Sequence, residues 1–164
     1  MWCTSIGFVR LTVGYAPDVA VILEVQLQRR PTSSGLARDA ARRVLDDVCD
    51  LQQLGDVLTV ISELVTNAVR HTGGGCTLVL SHDGDKIVVE VRDSDTRAPQ
   101  RTRDDGGLGH GLGVVQSLAS RWGIDRLPEG KCVWAELTVG ASTASTSGAV
   151  GTQRGVPNLG PGSG

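Results

Sequence analysis

An apolar stripe with helical spacing begins near Asp56 and ends at three consecutive glycines, residues 73–75. Apolar residues that recur every three or four positions predict an amphipathic helix with one face in a core. The members of this stripe are Val57, Leu58, Ile61, Leu64, Val65, Ala68 and Val69. Because such a helix must bury its apolar face against another layer, the neighbouring segments decide which fold the chain can adopt.

The neighbouring segments alternate between helical and strand patterns. A break at residues 31–34 precedes a predicted helix over residues 36–51, whose apolar face holds Ala37, Ala41, Val44, Leu45 and Val48. After the glycines come predicted strands at residues 76–81 and 87–92 with a turn at 83–85, a helix at 112–121 that buries Val115, Leu118, Ala119 and Trp122, and a last strand at 131–139. This order predicts an α/β (α+β) two-layer sandwich, in which a mixed sheet is covered on one face by helices.

The chain divides by composition into a folded part and two flanking parts. Residues 1–31 hold strand-like stretches at 8–13 and 19–28 and are predicted to be N-terminal strands or an extension. Residues 32–139 form the predicted domain. Residues 140–164 are rich in Gly, Ser, Thr, Ala and Pro and carry one charge, Arg154, so we expect a disordered tail.

Composition and charge argue against several classes of function. Sixteen Lys and Arg residues against 18 Asp and Glu residues leave a net charge of −2, which gives no reason to expect nucleic acid as a partner. The longest apolar run, residues 19–23, is far shorter than the ~18 residues of a membrane span, and the start of the chain lacks the basic region of a secretory signal. The four cysteines are scattered without a C-x-x-C pair, which argues against zinc or disulfides. We therefore expect a cytoplasmic protein without membrane contact.

Two polar residues of the second helix, Glu63 and Asn67, form the first candidate site. Their four-residue spacing places both side chains on one face, opposite the apolar stripe. A carboxylate and an amide oxygen held together suit a hydroxyl or water and a hard cation such as Mg²⁺, which prefers oxygen ligands. The alternative is an ordinary solvated helix face, although Asn is a mediocre helix former without a local reason for a mid-helix position.

Two further candidates follow along the chain. Asp93, just past the second strand of the hairpin, can accept a hydrogen bond from an amino group such as N6 of adenine, and a turn-initiating Asp is the alternative. The glycine-rich run of residues 106–113 leads into a helix, where a loop without Cβ atoms can bring backbone N–H groups to phosphate oxygens. It contains no G-K-[ST] and does not open a βαβ unit, so it is neither a P-loop nor a dinucleotide fingerprint. A flexible loop without a ligand is its alternative.

These three signals occur in an order that resembles a known superfamily. Residues 62–71, which read SELVTNAVRH, resemble the N box shared by gyrases, MutL and histidine kinases. They resemble more closely the anti-sigma-factor serine kinases and the small actinobacterial ATP-binding proteins related to them. Residues 89–93 stand where the G1 box of that family falls, residues 107–113 and the helix after them resemble the G2 box, and residues 133–137 resemble the closing strand. The resemblance covers roughly residues 36–139.

The resemblance implies a Bergerat-type ATP-binding fold that takes ATP and Mg²⁺. Asn67 would ligate the Mg²⁺ that bridges the phosphates, Glu63 would be the general base, and Asp93 would recognise adenine. The residues implied to cover or face the phosphates are Arg70, His71, Gly107, Gly109, His110, Gly111, Leu112 and Gly113. For His71 the alternative is a cation favoured by the helix dipole at a C-terminus.

The chain departs from the family pattern at two positions. The superfamily's G1 pattern is Asp-x-Gly-x-Gly, whereas residues 93–97 read DSDTR, so that Asp95 adds negative charge near a polyanion. The relatives usually place a Thr beside adenine in the last strand, and Cys132 is predicted to stand there. A cysteine is a weaker hydrogen-bond donor than a threonine.

From the resemblance we expect a protein serine/threonine kinase of the anti-sigma type. It would phosphorylate a serine on a small antagonist protein and hold or release a sigma factor according to that state. A homodimer is expected because kinases of the family commonly pair. Two alternatives stay open: a non-catalytic module that acts only through partner binding, with or without ATP, and a simple ATPase without a protein substrate.

Overall fold

A computed structural model describes residues 9–10, 15–16, 19–96 and 110–140 of the 164-residue chain. The strands are β1 (Val9–Arg10), β2 (Tyr15–Ala16), β3 (Val19–Leu27), β4 (Cys76–Asp83), β5 (Lys86–Asp93), β6 (Arg121–Leu127) and β7 (Gly130–Thr138). The helices are α1 (Ser33–Leu45), α2 (Leu51–His71) and α3 (His110–Leu118). Two helices therefore separate β3 from β4, and one helix lies between β5 and β6 in the part of that connection that the structure describes.

The described strands form one seven-stranded sheet in the order β1-β3-β4-β5-β7-β6, with β2 also paired to β3. Every described pairing is antiparallel, so the prediction of a mixed sheet is wrong in strand direction. The helix pair returns the chain to the end where β3 finished, so that β4 runs back along β3. The β6–β7 hairpin places β7 beside β5. β6 pairs with the other side of β7, so it lies at the edge of the sheet and runs in the same direction as β5.

The helices cover one face of the sheet, which confirms the predicted two-layer α+β sandwich. α2 lies between α1 and α3 and packs against β4, β5 and β7. The largest fully buried side chains are aliphatic: Leu23, Leu45, Ile61, Leu64, Leu78, Leu80, Ile87, Val57, Val60, Val65, Val89 and Val91. Burying each such side chain contributes about 1.5–3 kcal/mol to folding, and α2 supplies the largest share of them.

α1 ends at Leu45, whereas the sequence predicted a first helix that continues to residue 51. α2 begins directly after Asp50, whereas the sequence predicted a start near Asp56. The Asp50 carboxylate accepts the N–H of Gln53 at 2.8 Å, and Gln53 Oε1 accepts the N–H of Asp50 at 3.0 Å. This capping box starts α2 at Leu51. Gly55 lies inside α2 with no atom within 4 Å of an added Cβ, and a helix tolerates such a glycine at a cost of about 1 kcal/mol relative to Ala.

The segment after α3 is a strand where the sequence predicted more helix. α3 ends at Leu118, and β6 begins at Arg121. β6 is largely exposed and pairs only with β7 among the described strands, so burial does not alternate along it. Val115 is buried in the core as predicted, while Trp122 packs partly buried against that core from β6 rather than from a helix.

The N-terminal strand-like stretch belongs to the same sheet as the rest of the fold. β3 pairs with β4 over its length, and its residues Leu23, Val25 and Leu27 are buried in the common core. Most of the stretch predicted at residues 8–13 and all of the predicted tail beyond residue 140 lie outside the described residues. Within the described part of the chain, no helix is long and apolar enough to cross a membrane.

Candidate functional site

The face of α2 that presents Glu63 and Asn67 is covered by the first turn of α3. Both side chains are half-buried. A Cβ added to Gly111 would overlap Glu63 Oε2 and would lie 3.2 Å from Asn67 Nδ2, so only glycine allows this close approach. The structure therefore brings together a carboxylate, an amide and a glycine backbone that the sequence holds in two separate motifs.

The first turn of α3 presents backbone N–H groups beside this pair. α3 begins at His110, so Gly111 and Leu112 fall in the turn whose N–H groups lack partners within the helix. Such a helix end favours an anion through its free N–H groups and its dipole. Leu112 packs partly buried against the core, whereas a Cβ added to Gly113 would meet no atom within 4 Å. The predicted site residues Gly107 and Gly109 lie outside the described residues.

Arg70 and His71 occupy the last turn of α2 and are exposed. Their spacing of three and four residues from Asn67 places them on the same side of the helix as the Glu63–Asn67 pair. The guanidinium of Arg70 at this helix end also complements the negative end of its dipole. Both the predicted phosphate-facing role and the helix-end role of His71 are compatible with this position.

The end of α2 lies beside the end of β5. The N–H of Thr72 donates to the Ala68 carbonyl at 3.0 Å, and its hydroxyl donates to the Gly74 carbonyl at 2.9 Å. A Cβ added to Gly74 would lie 3.6 Å from Ser94 Oγ, so the glycine turn contacts the residue that follows β5. This contact places the segment after Asp93 next to the segment after His71.

Asp93 is the last residue of β5, and only 1% of its side chain is exposed. Its Oδ1 accepts the N–H of Asp95 at 2.8 Å and lies 3.2 Å from Lys131 Nζ. Its Oδ2 is buried and has no hydrogen-bond partner among the described residues. A buried carboxylate oxygen without a donor costs free energy, so a ligand that donates a hydrogen bond to Oδ2 would be favoured.

Lys131 is a residue of this site that the sequence analysis missed. It stands opposite Asp93 in the β5–β7 register, and its Nζ lies 3.2 Å from Asp93 Oδ1 and 3.2 Å from Asp95 Oδ2. Only 11% of its side chain and 10% of that of Asp95 are exposed. The sequence contained a signal for Lys131. Strand alternation places residue 131 on the same inward face as Ala135 and Leu137, and a lysine on a buried face needs a carboxylate partner.

Cys132, which the resemblance places beside adenine, is not the cross-strand neighbour of Asp93; Lys131 is. Cys132 stands opposite Arg92, and alternation turns both side chains to the sheet face away from the helices. Arg92 forms an ion pair with Glu90 on that face. Burial and, secondly, the charge of Glu90 raise the pKa of Cys132 to about 11, so its thiol is neutral at physiological pH.

Gly130 allows β7 to start directly against the end of β5. Its φ of +141° is one that L side chains rarely adopt. A Cβ at this position would overlap the carbonyl oxygen of Asp93 and lie 2.8 Å from the Cα of Ser94. The next residue is Lys131, so this close approach sets its side chain next to the Asp93 carboxylate.

Cys76 stands on the other side of Asp93, opposite it in the β4–β5 register. Burial, followed by the charge of Asp93, raises the pKa of the Cys76 thiol to about 11. The thiol is therefore neutral at physiological pH. A row of Cys76, Asp93 and Lys131 crosses three neighbouring strands and contains one negative and one positive charge.

The residues present fit ATP and Mg²⁺ at two separate places. The unsatisfied Asp93 Oδ2 is an acceptor for an amino group such as N6 of adenine. The Asn67 amide oxygen and the Glu63 carboxylate beside the α3 turn form an oxygen-donor set of the kind that Mg²⁺ prefers. The described residues contain no group of three or more His, Cys, Asp or Glu side chains that could hold a metal alone. Magnesium commonly keeps waters and substrate phosphates as most of its ligands, so a single protein ligand suits it.

The fold is an α+β domain with helices on one face of an antiparallel sheet, and comparison with known families assigns it a class. A family profile described as histidine kinase-like ATPase domain matches residues 27–137. The match begins at the last residue of β3 and ends within β7, so it spans the α1–α3 layer and most of the sheet. The chain belongs to the histidine kinase-like ATPase domain family, and this membership implies ATP binding.

One solved structure of similar fold is the crystal structure of the RsbU and RsbW domains of Rv1364c from Mycobacterium tuberculosis. The TM-score is 0.57 at 21% sequence identity, over 71% of this chain and 32% of that chain. At this identity the likeness shows the fold, and the chain spans only about a third of the length of that protein. No curated protein matches the chain by sequence.

Proposed function

We propose that this protein is an Mg²⁺-dependent ATP-binding serine/threonine kinase of the anti-sigma type, which transfers phosphate to a serine of a small antagonist protein. Its partners would then be that antagonist and a sigma factor. The observation that carries the proposal is the contact of Gly111 with both Glu63 and Asn67. That contact joins a candidate base, a candidate metal ligand and an anion-favouring helix end in one place.

Glu63 is the candidate general base. Its carboxylate is half-buried beside the α3 turn and can accept the proton of a serine hydroxyl as that hydroxyl attacks the terminal phosphate. Asn67, one helical turn further on, would hold Mg²⁺, which when bound neutralises phosphate charge. The free N–H groups at the start of α3 would bind phosphate oxygens and orient them towards the hydroxyl.

Asp93 is the candidate residue for base recognition. Its Oδ1 is already engaged by Lys131 and by the N–H of Asp95, which leaves Oδ2 as the acceptor for the adenine amino group. The contact between Gly74 and Ser94 brings this end of the sheet to the end of α2. A nucleotide with its base at Asp93 and its phosphates at Asn67 would then lie along the last turns of α2.

A second function is favoured by a specific observation at Asp93. The buried Lys131 and Asp95 side chains occupy the immediate neighbourhood of the proposed base site. If they exclude the base, the chain acts as a non-catalytic module that works through partner binding alone. A simple ATPase is the third possibility, and steady phosphate release without any protein partner would identify it.

The variant Glu63→Gln separates these functions. The protein is incubated with γ-labelled ATP and an extract of the organism from which the chain comes. The proposed kinase labels a small protein on serine, and Glu63→Gln abolishes the label while ATP binding persists, because the base is lost and the metal ligand remains. Labelling that is equal with wild type and variant, or no ATP binding by the wild type, would contradict the proposal.

A further inference from the structure

The ion cluster of Asp93, Lys131 and Asp95 is the feature of the site that the proposed phosphate chemistry does not use. The Lys131 ammonium lies 3.2 Å from one oxygen of each carboxylate. All three side chains are about nine-tenths buried or more, with exposures of 1%, 11% and 10%. Buried charges of this kind persist when they are paired, and removing one partner leaves the others uncompensated.

The contacts of the Asp93 carboxylate fix its orientation. Lys131 Nζ and the N–H of Asp95 both engage Oδ1, at 3.2 Å and 2.8 Å. A half-turn of the carboxylate would only exchange its two oxygens. One oxygen would again face both donors, and the other would again face neither. The cluster therefore contains one engaged oxygen and one buried oxygen without a hydrogen-bond partner among the described residues.

The charges around Asp93 add up to a defined balance. Asp93 and Asp95 contribute two negative charges and Lys131 one positive charge, while the adjacent Cys76 is a neutral thiol. These three side chains alone therefore carry a net charge of −1. Loss of the ammonium alone would leave −2 beside a polyanionic triphosphate, whereas loss of the ammonium together with the Asp95 charge would restore −1.

We propose that Lys131 is a positioning residue for nucleobase selection: it holds Asp93 by Oδ1 so that Oδ2 accepts the 6-amino group of adenine, and Asp95 is its counter-ion. This inference rests on the proposed ATP binding. It adds the residue that lets Asp93 discriminate between adenine and a base without the 6-amino group. Lys131 acts through Asp93 and need not touch the nucleotide.

The test compares ATP with purine riboside triphosphate, which differs from ATP by lacking the 6-amino group. The affinities of both nucleotides are measured by calorimetry with Mg²⁺ for the wild type, Lys131→Met, Lys131→Met/Asp95→Asn and Lys131→Arg. The melting temperature of each protein is measured without nucleotide. Lys86→Met is the matched control, because this second lysine forms an ion pair with Glu136 at 3.0 Å at the opposite end of β5.

The wild type should prefer ATP by about tenfold, the size expected for one hydrogen bond to a charged acceptor. Lys131→Met should lower the melting temperature, bind both nucleotides more weakly and lose the preference. The double variant should recover only part of the melting temperature and overall affinity, because it leaves one carboxylate without its ammonium rather than two. It should still lack the preference, because Oδ1 has lost its ammonium. Lys131→Arg should keep the preference, and Lys86→Met should leave it unchanged.

An unchanged preference for ATP in the double variant would overturn the positioning role and leave Lys131 as a structural ion-pair partner. The double variant keeps this outcome measurable even if Lys131→Met alone does not fold. Failure of the wild type to bind either nucleotide would instead contradict the proposed function itself. The two failures are therefore distinguishable in one experiment.

Discussion

The two ends of the candidate site differ in how they are built. At the proposed phosphate end, the side chains of Glu63 and Asn67 lie against Gly111, which has no side chain, and the residues follow the family pattern. At the base end, Asp93 is surrounded by charge, with Lys131 and Asp95 bound to it in the interior. The phosphate end depends on the absence of a side chain at one position, whereas the base end depends on the balance of three charges.

This difference has a physical consequence for substitution. A close backbone approach fails sterically when a single Cβ is added, and the damage stays local if the contacted atom ends a flexible side chain. A buried ion cluster fails when one member is removed, because the remaining charges have no solvent. We therefore expect the phosphate end to lose function before stability and the base end to lose both together.

The largest effect on stability is expected for Gly130→Ala at the base end. An alanine there would have to hold a φ of +141° and would overlap the Asp93 carbonyl, so the start of β7 must shift. The free energy of unfolding should fall by about 3 kcal/mol, from backbone strain and overpacking combined. Urea denaturation followed by circular dichroism measures this change.

Gly84→Ala is the matched control for Gly130→Ala. Gly84 also has a positive φ, +59°, in the turn between β4 and β5, but an added Cβ there would meet no atom within 4 Å. Gly84→Ala should lower the free energy of unfolding by about 1–2 kcal/mol, which is the cost of a left-handed backbone conformation for a residue with a Cβ. Equal losses for the two variants would show that the contact with Asp93 contributes nothing.

The next largest effect is expected for Gly111→Ala at the phosphate end. The new Cβ would displace the Glu63 carboxylate, and a displaced base slows phosphotransfer, by about tenfold or more for shifts near 1 Å. The free energy of unfolding should change by less than about 1 kcal/mol, since the contacted Oε2 ends a flexible side chain. Labelling of the small protein partner with γ-labelled ATP gives the rate of phosphotransfer, and urea denaturation gives the change in stability.

Gly113→Ala provides the comparison within the same helical turn. Its Cβ would meet no atom within 4 Å, so α3 should gain about 0.5–1 kcal/mol of stability from the better helix former. Phosphotransfer should stay at the wild-type level. If Gly113→Ala slows phosphotransfer as much as Gly111→Ala, the Glu63 contact is not the reason for the slowing.

The smallest effect is a pH dependence at the base end. Because the folded pKa of Cys76 is raised to about 11 from 9.0, the unfolded chain ionises first as the pH rises, and the unfolded state then binds fewer protons than the folded state. The stability contribution is complete below pH 9 and is lost as the pH rises towards 11. At pH 10 this thiol should have lowered the free energy of unfolding of the wild type by about 1 kcal/mol, and Cys76→Ala should not show that decrease.

Urea denaturation of wild type and Cys76→Ala at pH 8 and pH 10 measures this dependence. Cys49 and Cys132, whose pKa values are also raised, are present in both proteins and cancel in the comparison. An equal loss of stability in the two proteins would show that the Cys76 thiol is not shielded in the folded state.

Much of the phosphate end followed from the sequence because its signals are local. The periodicity of α2 put Glu63 and Asn67 on one face, and the Asp50–Gln53 capping box, which fixes the start of α2, could also have been found in the sequence. That Gly111 meets Glu63 could not be derived, since the contact joins residues that a long stretch of chain separates. Gly107 and Gly109, which the resemblance added to this end, remain predictions.

The base end was predicted less well because it depends on strand register. Asp93 was named as a candidate from its place after a strand, but its cross-strand neighbour Lys131 was not, because a shift of one residue in register moves a side chain to the other face of a sheet. The exposed edge strand β6 was missed for a related reason, as it has no inward–outward alternation to detect. A sequence pattern reports burial, whereas pairing across strands is set by the whole sheet.

The most direct measurement is a titration of the wild type and of Asn67→Ala with ATP, each with and without Mg²⁺. The account predicts that Mg²⁺ tightens ATP binding to the wild type and that Asn67→Ala loses this metal-dependent part while its melting temperature stays near that of the wild type. Binding of equal strength in both proteins, or no binding in either, would contradict it. In the second case the Glu63–Asn67 face would be a scaffold, and the protein would act through partner binding alone.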